Sequence, residues 1–239
     1  MELRQLTSEG ERRIFHERME EARAKKGARY RETGRSKVGK IHLEYGLLYG
    51  LFEHDDGLPE EMMSGLLMHD LASFPQSVSR PDLSHLPPRA VMEGGELWSF
   101  AKGAGLLAQH GALILAGLMQ IRALLVYPTI KPADQSAVYL RSNFVKVGEP
   151  IVWPYCETID GGEILAQAMV LEGEALANVV EAVFGRGFTT IDSMRRIRFD
   201  NPFPIHPTLS RPEIPSGERL AGFELVAPHG HEVNGNAQA

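Results

Sequence analysis

Residues 96–105 read Glu-Leu-Trp-Ser-Phe-Ala-Lys-Gly-Ala-Gly, an apolar run that breaks into a short glycine-rich turn. The residues that follow, 106–121, carry no formal charge and have the length of a buried helix. We therefore predict a strand, a glycine turn and a helix in direct succession. The first N–H groups of such a helix lack partners and lie at the positive end of its dipole, which is typical of a phosphate site.

The composition indicates an ordinary soluble globular protein. With 239 residues, 43% of them apolar, the chain can bury a sizeable core. A net charge of −6 argues against nucleic-acid binding, because no basic surface is expected. Residues 1–35 alternate acidic and basic side chains without an apolar block, so we expect no signal peptide. The single Cys156 agrees with a reducing cytoplasm, and we expect it to be a small buried hydrophobe.

Two further classes of function are disfavoured. The uncharged stretch 103–121 approaches the length of a membrane span, but Gln109, His110 and Gln120 interrupt it and Arg122 ends it. We therefore expect no integral membrane span. The nine histidines are scattered without the spacing of metal ligands, so we expect no metal.

In the remaining chain, segments with the periodicity of a helix alternate with segments with the periodicity of a strand. Ser8 and Glu11 have the spacing of a capping box at the start of the first helix. The predicted elements are a strand at 1–6, a helix at 8–32, a hairpin of strands 41–52 and 62–71, a loop at 72–89, a strand at 90–100, a helix at 105–122, a strand at 123–127, a helix at 133–142, a strand pair at 144–151 and 164–171 joined by a long arm, and a helix at 175–184. We divide the chain into an N-terminal segment of the same domain (1–40), a core (41–185) and a proline-punctuated C-terminal extension with a tail (186–239).

Two short motifs accompany this order: Phe100-Ala-Lys-Gly103-Ala-Gly105 and Tyr139-Leu-Arg-Ser-Asn143-Phe144. Together they resemble the GNAT superfamily of N-acyltransferases, whose pyrophosphate loop reads Gln/Arg-x-x-Gly-x-Gly/Ala and whose second signature is Tyr-x-x-x-Gly-Phe. Phe100 departs from the first pattern. Asn143 replaces the glycine of the second, and asparagine also tolerates left-handed backbone geometry.

Within that superfamily, the long arm, the late strand pair and the C-terminal extension look most like the long-chain N-acyl amino acid synthases. Their cousins, the acyl-homoserine-lactone synthases, carry Glu-x-Ser/Thr-Arg-Phe on the fourth strand. Glu96-Leu-Trp-Ser-Phe100 is similar to that motif but lacks its Arg, which argues against a quorum-signal synthase.

The resemblance implies an α+β, three-layer fold with a mixed, mostly antiparallel twisted sheet flanked by helices. It implies a cytoplasmic enzyme that moves an acyl group from acyl-coenzyme A, or from an acyl-carrier protein, to a small-molecule amine such as an amino acid. The residues it assigns to the coenzyme A site are Phe100, Lys102, Gly103, Ala104, Gly105 and Asn143. A second class stays open: a non-catalytic module of the same fold that senses acyl-coenzyme A or binds a partner.

Three residues are candidates for catalysis. Tyr139 matches the family tyrosine that protonates the departing thiolate, with a helix tyrosine packed on the sheet as the alternative. Glu93 and Glu96 lie on the fourth strand, and either could take a proton from an ammonium group, directly or through water. Strand alternation predicts that they point to opposite faces, so that only one reaches the cleft. We favour Glu96, although a surface or salt-bridge role stays open for both. The adjacent His69 and Asp70 are expected to have no joint role.

Overall fold

The computed structural model describes residues 2–31, 46–53, 60–70, 81–184 and 196–198. The predicted link at 34–40, the first residues of the strand at 41–52, the loop residues 72–80 and most of the C-terminal extension lie outside the described residues.

The described chain contains twelve strands and four α-helices. The strands are β1 (Glu2–Gln5), β2 (Ala28–Tyr30), β3 (Leu47–Glu53), β4 (Glu61–Asp70), β5 (Val91–Ser99), β6 (Ala123–Val126), β7 (Thr129–Lys131), β8 (Val145–Lys146), β9 (Ile151–Thr158), β10 (Glu163–Ala166), β11 (Met169–Glu172) and β12 (Arg196–Arg198). The helices are α1 (Glu9–Lys25), α2 (Ala104–Leu118), α3 (Ala137–Leu140) and α4 (Gly173–Phe184).

Eight strands form the main sheet, in the order β12-β1-β3-β4-β5-β6-β11-β8. Every neighbouring pair is antiparallel except β5 and β6, which run parallel. Helices cover both faces, so the prediction of a mixed, mostly antiparallel sheet flanked by helices is confirmed. The predicted strand, glycine turn and helix correspond to β5, residues 100–103 and α2.

The two faces of the main sheet bury separate apolar clusters. On one face, which we call the α1 face, Phe15 and Met19 of α1 pack on Leu48 and Leu67. On the opposite face, residues of α2 and α4 cover alternate positions of the same strands, such as Leu66. Because successive side chains of a strand point to opposite faces, the central strands contribute to both clusters. Each helix buries only the side that faces the sheet.

Helix α1 begins as its sequence predicts. The Ser8 hydroxyl accepts the N–H of Glu11, and the Glu11 carboxylate accepts the N–H of Ser8, which completes the capping box. The helix ends at Lys25, earlier than predicted, because Gly27 at φ 77° turns the chain into β2.

A second sheet of four antiparallel strands, in the order β2-β9-β10-β7, corrects two further predictions. The segment between the predicted strand pair is itself the hairpin β9–β10, while β8 and β11 pair in the main sheet. The predicted helix at 133–142 is a single turn, α3, and the chain before it forms strand β7. Short strands such as β2 and β7 lack a periodic signal, because three residues are too few to show alternation.

Candidate functional site

The candidate site lies where two parallel strands of the main sheet separate. β5 and β6 run side by side as far as the pair Gly94 and Val126. Beyond this pair β5 continues to Ser99 beside β4, whereas β6 ends. A cavity of about 640 Å³ occupies the gap. Its walls come from residues 94–99 of β5, the start of α2, and parts of α1, α3 and the small sheet.

Strand β5 contains one extra residue at the point of separation. Glu96 pairs with Leu67 of β4, and Gly94 pairs with Met68, so Gly95 has no partner of its own across the strands. This is a β-bulge, which bends a strand and increases its twist. A Cβ atom at Gly95 would overlap the Leu67 side chain, so any larger residue at the bulge would require this buried leucine to move.

The bulge corrects the prediction that Glu93 and Glu96 point to opposite faces. Glu93 pairs with His69, and Glu96 pairs with Leu67, two residues earlier on the same strand. Since residues two apart on a strand share a face, both glutamates lie on the α1 face. The prediction from a separation of three positions was wrong because one of the two intervening residues, Gly95, is the unpaired bulge residue.

The turn before α2 presents unpaired backbone donors to the cavity. Gly103 is the N-cap of α2 with φ 89°, a left-handed geometry that favours glycine, and no side chain caps the helix. Within the described ranges, no hydrogen bond is made by the N–H groups of Lys102, Gly103 and Gly105, and all three residues line the cavity. The Ala104 N–H is satisfied by the Ala101 carbonyl at 3.2 Å. Three unpaired donors therefore meet the positive end of the helix dipole.

Two cations accompany these donors. Lys102 and Arg141 both line the cavity, and neither side chain forms an ion pair with another described residue. Arg141 follows α3 directly, so the positive charge reaches the cavity from two elements. The start of α2 can therefore hold an anion with two or more negative charges.

Three of the predicted binding residues are not among the described residues that line the cavity. The Phe100 ring packs against α1, with the Arg18 guanidinium and the Lys25 ammonium 4.2 and 4.5 Å from its centroid. The Ala104 side chain belongs to the core beneath α2. Asn143 has φ 62°, the left-handed geometry expected for it, and its N–H bonds to the Leu140 carbonyl at the end of α3.

Tyr139 is 8% exposed and lines the cavity. Its ring packs edge-on against Phe144, with 5.5 Å between centroids. In the described part of the chain its hydroxyl has no hydrogen-bond partner, so it can donate to a ligand. Burial raises the pKa of Tyr139, and the negative charge of Glu96 adds to the increase. The phenol is therefore protonated at neutral pH, as a hydrogen-bond donor must be.

Glu96 also lines the cavity, and its carboxylate is held on one side only. Arg23 Nη2 donates to Oε1 at 2.5 Å, and the Tyr30 hydroxyl donates to the same oxygen at 2.9 Å. The Arg23 and Glu96 side chains are 14% and 17% exposed. Among the described residues we find no hydrogen-bond partner for Oε2, which leaves this oxygen available to a ligand.

Glu93 occupies a different place. It is 5% exposed and is not among the described cavity-lining residues, and its Oε1 lies 3.7 Å from Nε2 of the buried His69. His69 therefore contacts a glutamate across the strands. The structure brings Glu96, Tyr139, Lys102, Gly103 and Gly105 to one cavity and leaves Glu93 in the sheet.

Cys156 lines the cavity beside Arg23, whose Nη1 donates to Sγ. Burial raises the pKa of the Cys156 thiol to about 11, although the Arg23 charge acts in the opposite direction. The thiol is protonated at neutral pH, which is unsuitable for a nucleophile.

The sequence did not single out four cavity-lining residues, Arg23, Lys26, Arg141 and Trp153, or Tyr30, which donates to Glu96. Arg23 and Lys26 belong to a helix rich in charged residues, where no local signal separates a cavity wall from a solvated face. Arg141 stands inside the Tyr139-to-Phe144 motif, but at a position that the motif leaves unspecified. Trp153 could have been noticed as an aromatic residue on the predicted arm.

In the ranges that the structure describes, no helix combines the length and apolar character needed to cross a membrane. A search of the same ranges finds no group of three His, Cys, Asp or Glu side chains that could hold a metal ion.

No protein-family model matches the chain, and neither does any curated protein. Solved structures do resemble it. FeeM, an N-acyl amino acid synthase from uncultured soil microbes, is 13% identical with a TM-score of 0.47, and the match covers 70% of this chain and 90% of FeeM. The ribosomal-protein-S18-alanine N-acetyltransferase from Escherichia coli is 15% identical with a TM-score of 0.48, covering 72% and 94%. Spermidine N-acetyltransferase from Vibrio cholerae, solved with CoA and spermine, is 14% identical with a TM-score of 0.49, covering 74% and 97%.

Proposed function

We propose that this protein is an N-acyltransferase that moves an acyl group from acyl-coenzyme A, or from an acyl-carrier protein, to an amine. The observation that carries the proposal is the convergence of three groups on one cavity. They are the unpaired N–H groups at the start of α2, the Tyr139 hydroxyl, and the Glu96 carboxylate, of which only Oε1 is held by hydrogen bonds. The first suits a pyrophosphate, the second a leaving thiolate and the third an amine.

The donor would bind with its pyrophosphate over the N–H groups of Lys102, Gly103 and Gly105. Lys102 and Arg141 would add two positive charges to the same anion. The thioester would then lie in the gap between β5 and β6. There the edge of β5 beyond Gly94 has no described main-sheet strand on the β6 side, so its backbone groups can polarise the carbonyl.

The transfer would proceed by direct attack, without a covalent enzyme intermediate. Glu96 Oε2 accepts a proton from the acceptor ammonium, and the neutral nitrogen attacks the thioester carbonyl carbon. The new carbon–nitrogen bond forms as the carbon–sulfur bond breaks, and the sulfur leaves as a thiolate. The Tyr139 hydroxyl stabilises this thiolate by donating a hydrogen bond. The nitrogen loses one further proton as the amide forms, and the thiolate takes up one proton, which yields free coenzyme A. The raised pKa of Tyr139 favours donation of a hydrogen bond over complete loss of the proton.

The cavity favours an acceptor that carries a negative group as well as an amine. The charged side chains on its described walls are four cations, Arg23, Lys26, Lys102 and Arg141, and one carboxylate, Glu96. With two cations assigned to phosphate and Arg23 neutralised by Glu96, Lys26 is available for an acceptor carboxylate, as in an amino acid. Its ammonium donates to Gln135 at 2.9 Å, which directs it along the cavity wall.

The decisive experiment combines turnover and binding. The purified protein is incubated with acyl-coenzyme A of two to sixteen carbons and a pool of amino acids, and released thiol is measured. Thiol release that depends on both substrates, with a matching N-acyl product by mass spectrometry, supports the proposal. The chain-length series identifies the acyl length that the protein accepts.

The alternative of a non-catalytic module gives a different result in the same experiment. It binds coenzyme A, measured by calorimetry, but releases no thiol with any pair of substrates. Phe100 in place of Gln/Arg is the sequence feature that keeps this alternative in view. Loss of both binding and turnover would refute both functions.

A further inference from the structure

The Glu96 carboxylate is anchored by residues that precede the predicted acyltransferase core. Arg23 stands in the last turn of α1 and Tyr30 in β2, and both donate to the same oxygen, Oε1. They also contact each other: Arg23 Nη2 lies 3.0 Å from the Tyr30 hydroxyl, and the guanidinium carbon lies 3.9 Å from the centre of the Tyr30 ring.

We propose that Arg23 and Tyr30 are positioning residues that fix Oε1 of Glu96 so that Oε2 faces the acceptor nitrogen. The proposal rests on the transferase function proposed above and extends it. The N-terminal segment would then be part of the catalytic machinery, because it aims the base toward the acceptor.

The geometry separates the two carboxylate oxygens by role. Oε1 receives two donors, whereas Oε2 has no hydrogen-bond partner among the described residues, and the Glu96 side chain lines the cavity. A carboxylate held by one oxygen loses rotational freedom but keeps the other oxygen available to a substrate proton. Such preorganisation positions the acceptor nitrogen in advance, so no group has to reorient at the moment of attack.

Arg23 is itself held in a fixed position. Its Nη1 donates to Cys156 of β9, and its flat face rests on the Tyr30 ring. Burial would lower the pKa of Arg23, but the charge of Glu96, together with Tyr30, Cys156 and the hydrogen bond to Glu96, raises it by more than burial lowers it. The guanidinium therefore stays charged. The planar fork can therefore direct the carboxylate in a way that a flexible ammonium would not.

A purely structural role for Arg23 would also reduce activity, so the test must distinguish the two. If Arg23 acts through Glu96, its removal has no further effect once the Glu96 carboxylate is gone. If Arg23 only supports the fold, its removal lowers activity by the same factor whether or not Glu96 is present.

The experiment is a double-mutant cycle of Arg23→Gln and Glu96→Gln, with kcat and the KM for each substrate measured. We expect Arg23→Gln to lower kcat about 10- to 100-fold with little change in donor KM, and Glu96→Gln to lower it on the order of 10²-fold. The double variant should lie within about twofold of Glu96→Gln alone. Arg23→Lys keeps the charge and should recover activity to within about tenfold of the unmodified protein.

Arg4→Gln is the matched control. Arg4 also forms an ion pair, at 2.6 Å to Glu60, and also lies over an aromatic ring, at 3.8 Å from the centre of Phe52, but it does not line the cavity. We expect its kcat to equal that of the unmodified protein. Tyr30→Phe, which removes one oxygen, provides a second cycle if Arg23→Gln does not fold.

Two outcomes overturn the positioning role alone: an active protein in which Arg23→Gln and Tyr30→Phe change nothing, or equal losses on both Glu96 backgrounds. An unmodified protein that binds coenzyme A but releases no thiol overturns the transferase function, and the positioning role with it. Donor binding is measured by calorimetry in every variant, and we expect it to be retained. This measurement, together with the activity of the unmodified protein, distinguishes failure of the positioning role from failure of the transferase function.

Discussion

The substitution Gly105→Ala should separate the proposed phosphate binding from folding. Gly105 is the second residue of α2, its N–H has no partner in the described structure, and it lines the cavity. A Cβ atom there would lie 3.5 Å from Cβ and 3.6 Å from Oγ of Ser99, which is ordinary van der Waals contact. The fold therefore accepts alanine, whereas a phosphate approaching the N–H would meet an added methyl group.

The two effects have opposite signs. Alanine is a better helix former than glycine, and the gain is up to about 0.5–1 kcal/mol, or a Tm increase of about 1–4 °C for a chain of this size. Loss of one hydrogen bond to a charged phosphate costs about 1.5–3 kcal/mol, which corresponds to a Kd for coenzyme A raised about 10- to 100-fold. Thermal unfolding and calorimetric titration measure the two quantities.

Gly10→Ala is the matched control. Gly10 is the second residue of α1, and a Cβ atom there meets nothing within 4 Å. We expect a similar Tm increase with an unchanged Kd. Gly103 is a poorer choice, because its φ of 89° strains any other residue by about 1–2 kcal/mol and lowers stability together with binding. An unchanged Kd in Gly105→Ala would refute the phosphate site at α2.

Three further outcomes are expected. Tyr139→Phe should lower kcat on the order of 10²-fold in the thiol-release assay, with little change in donor Kd. Tyr49 is a buried tyrosine that is not among the described cavity-lining residues, so Tyr49→Phe should leave kcat unchanged in the same assay. Glu96→Gln should depress the rate most at low pH, where little free amine exists, and the rate should recover partly as pH rises. Glu61→Gln is the control, and a pH–rate profile of the same shape in both variants would remove the base from the mechanism. Gly65→Ala should lower stability by about 1–3 kcal/mol in thermal unfolding, since its Cβ would overlap the Trp98 indole ring, and an unchanged Tm would contradict this packing.

The parts of the fold that the sequence predicted are those with a repeating or local signal. The apolar run at 91–99 and the uncharged helix that follows are long enough to show their periods, and the pair Ser8 and Glu11 specifies a helix start by two hydrogen bonds. The start of α2 could be proposed as a binding site for the same reason: glycines at 103 and 105 have a backbone role that follows from their position in a turn.

The parts that were missed depend on contacts between distant segments. Arg23 and Glu96 are 73 positions apart, and their pairing is decided by how α1 lies on the sheet. Strand β2 pairs with β9 across more than 120 residues, and its three residues carry no alternation that could reveal it. The bulge did leave a signal, the pair Gly94 and Gly95 inside a strand, since glycine in a strand interior often marks a bulge.

That single extra residue connects the fold to the chemistry. The bulge at Gly95 immediately follows Gly94, the last residue of β5 that pairs with β6. Because a bulge bends and twists its strand, it accounts for the divergence of β5 from β6 and so for the cavity between them. The same insertion moves Glu96 to the α1 face, where Arg23 and Tyr30 meet it. With strict alternation from Glu93, Glu96 would point into the opposite core, where α2 packs and these donors do not reach. The cavity, the proposed base and the residues that anchor it therefore depend on the same irregularity of one strand.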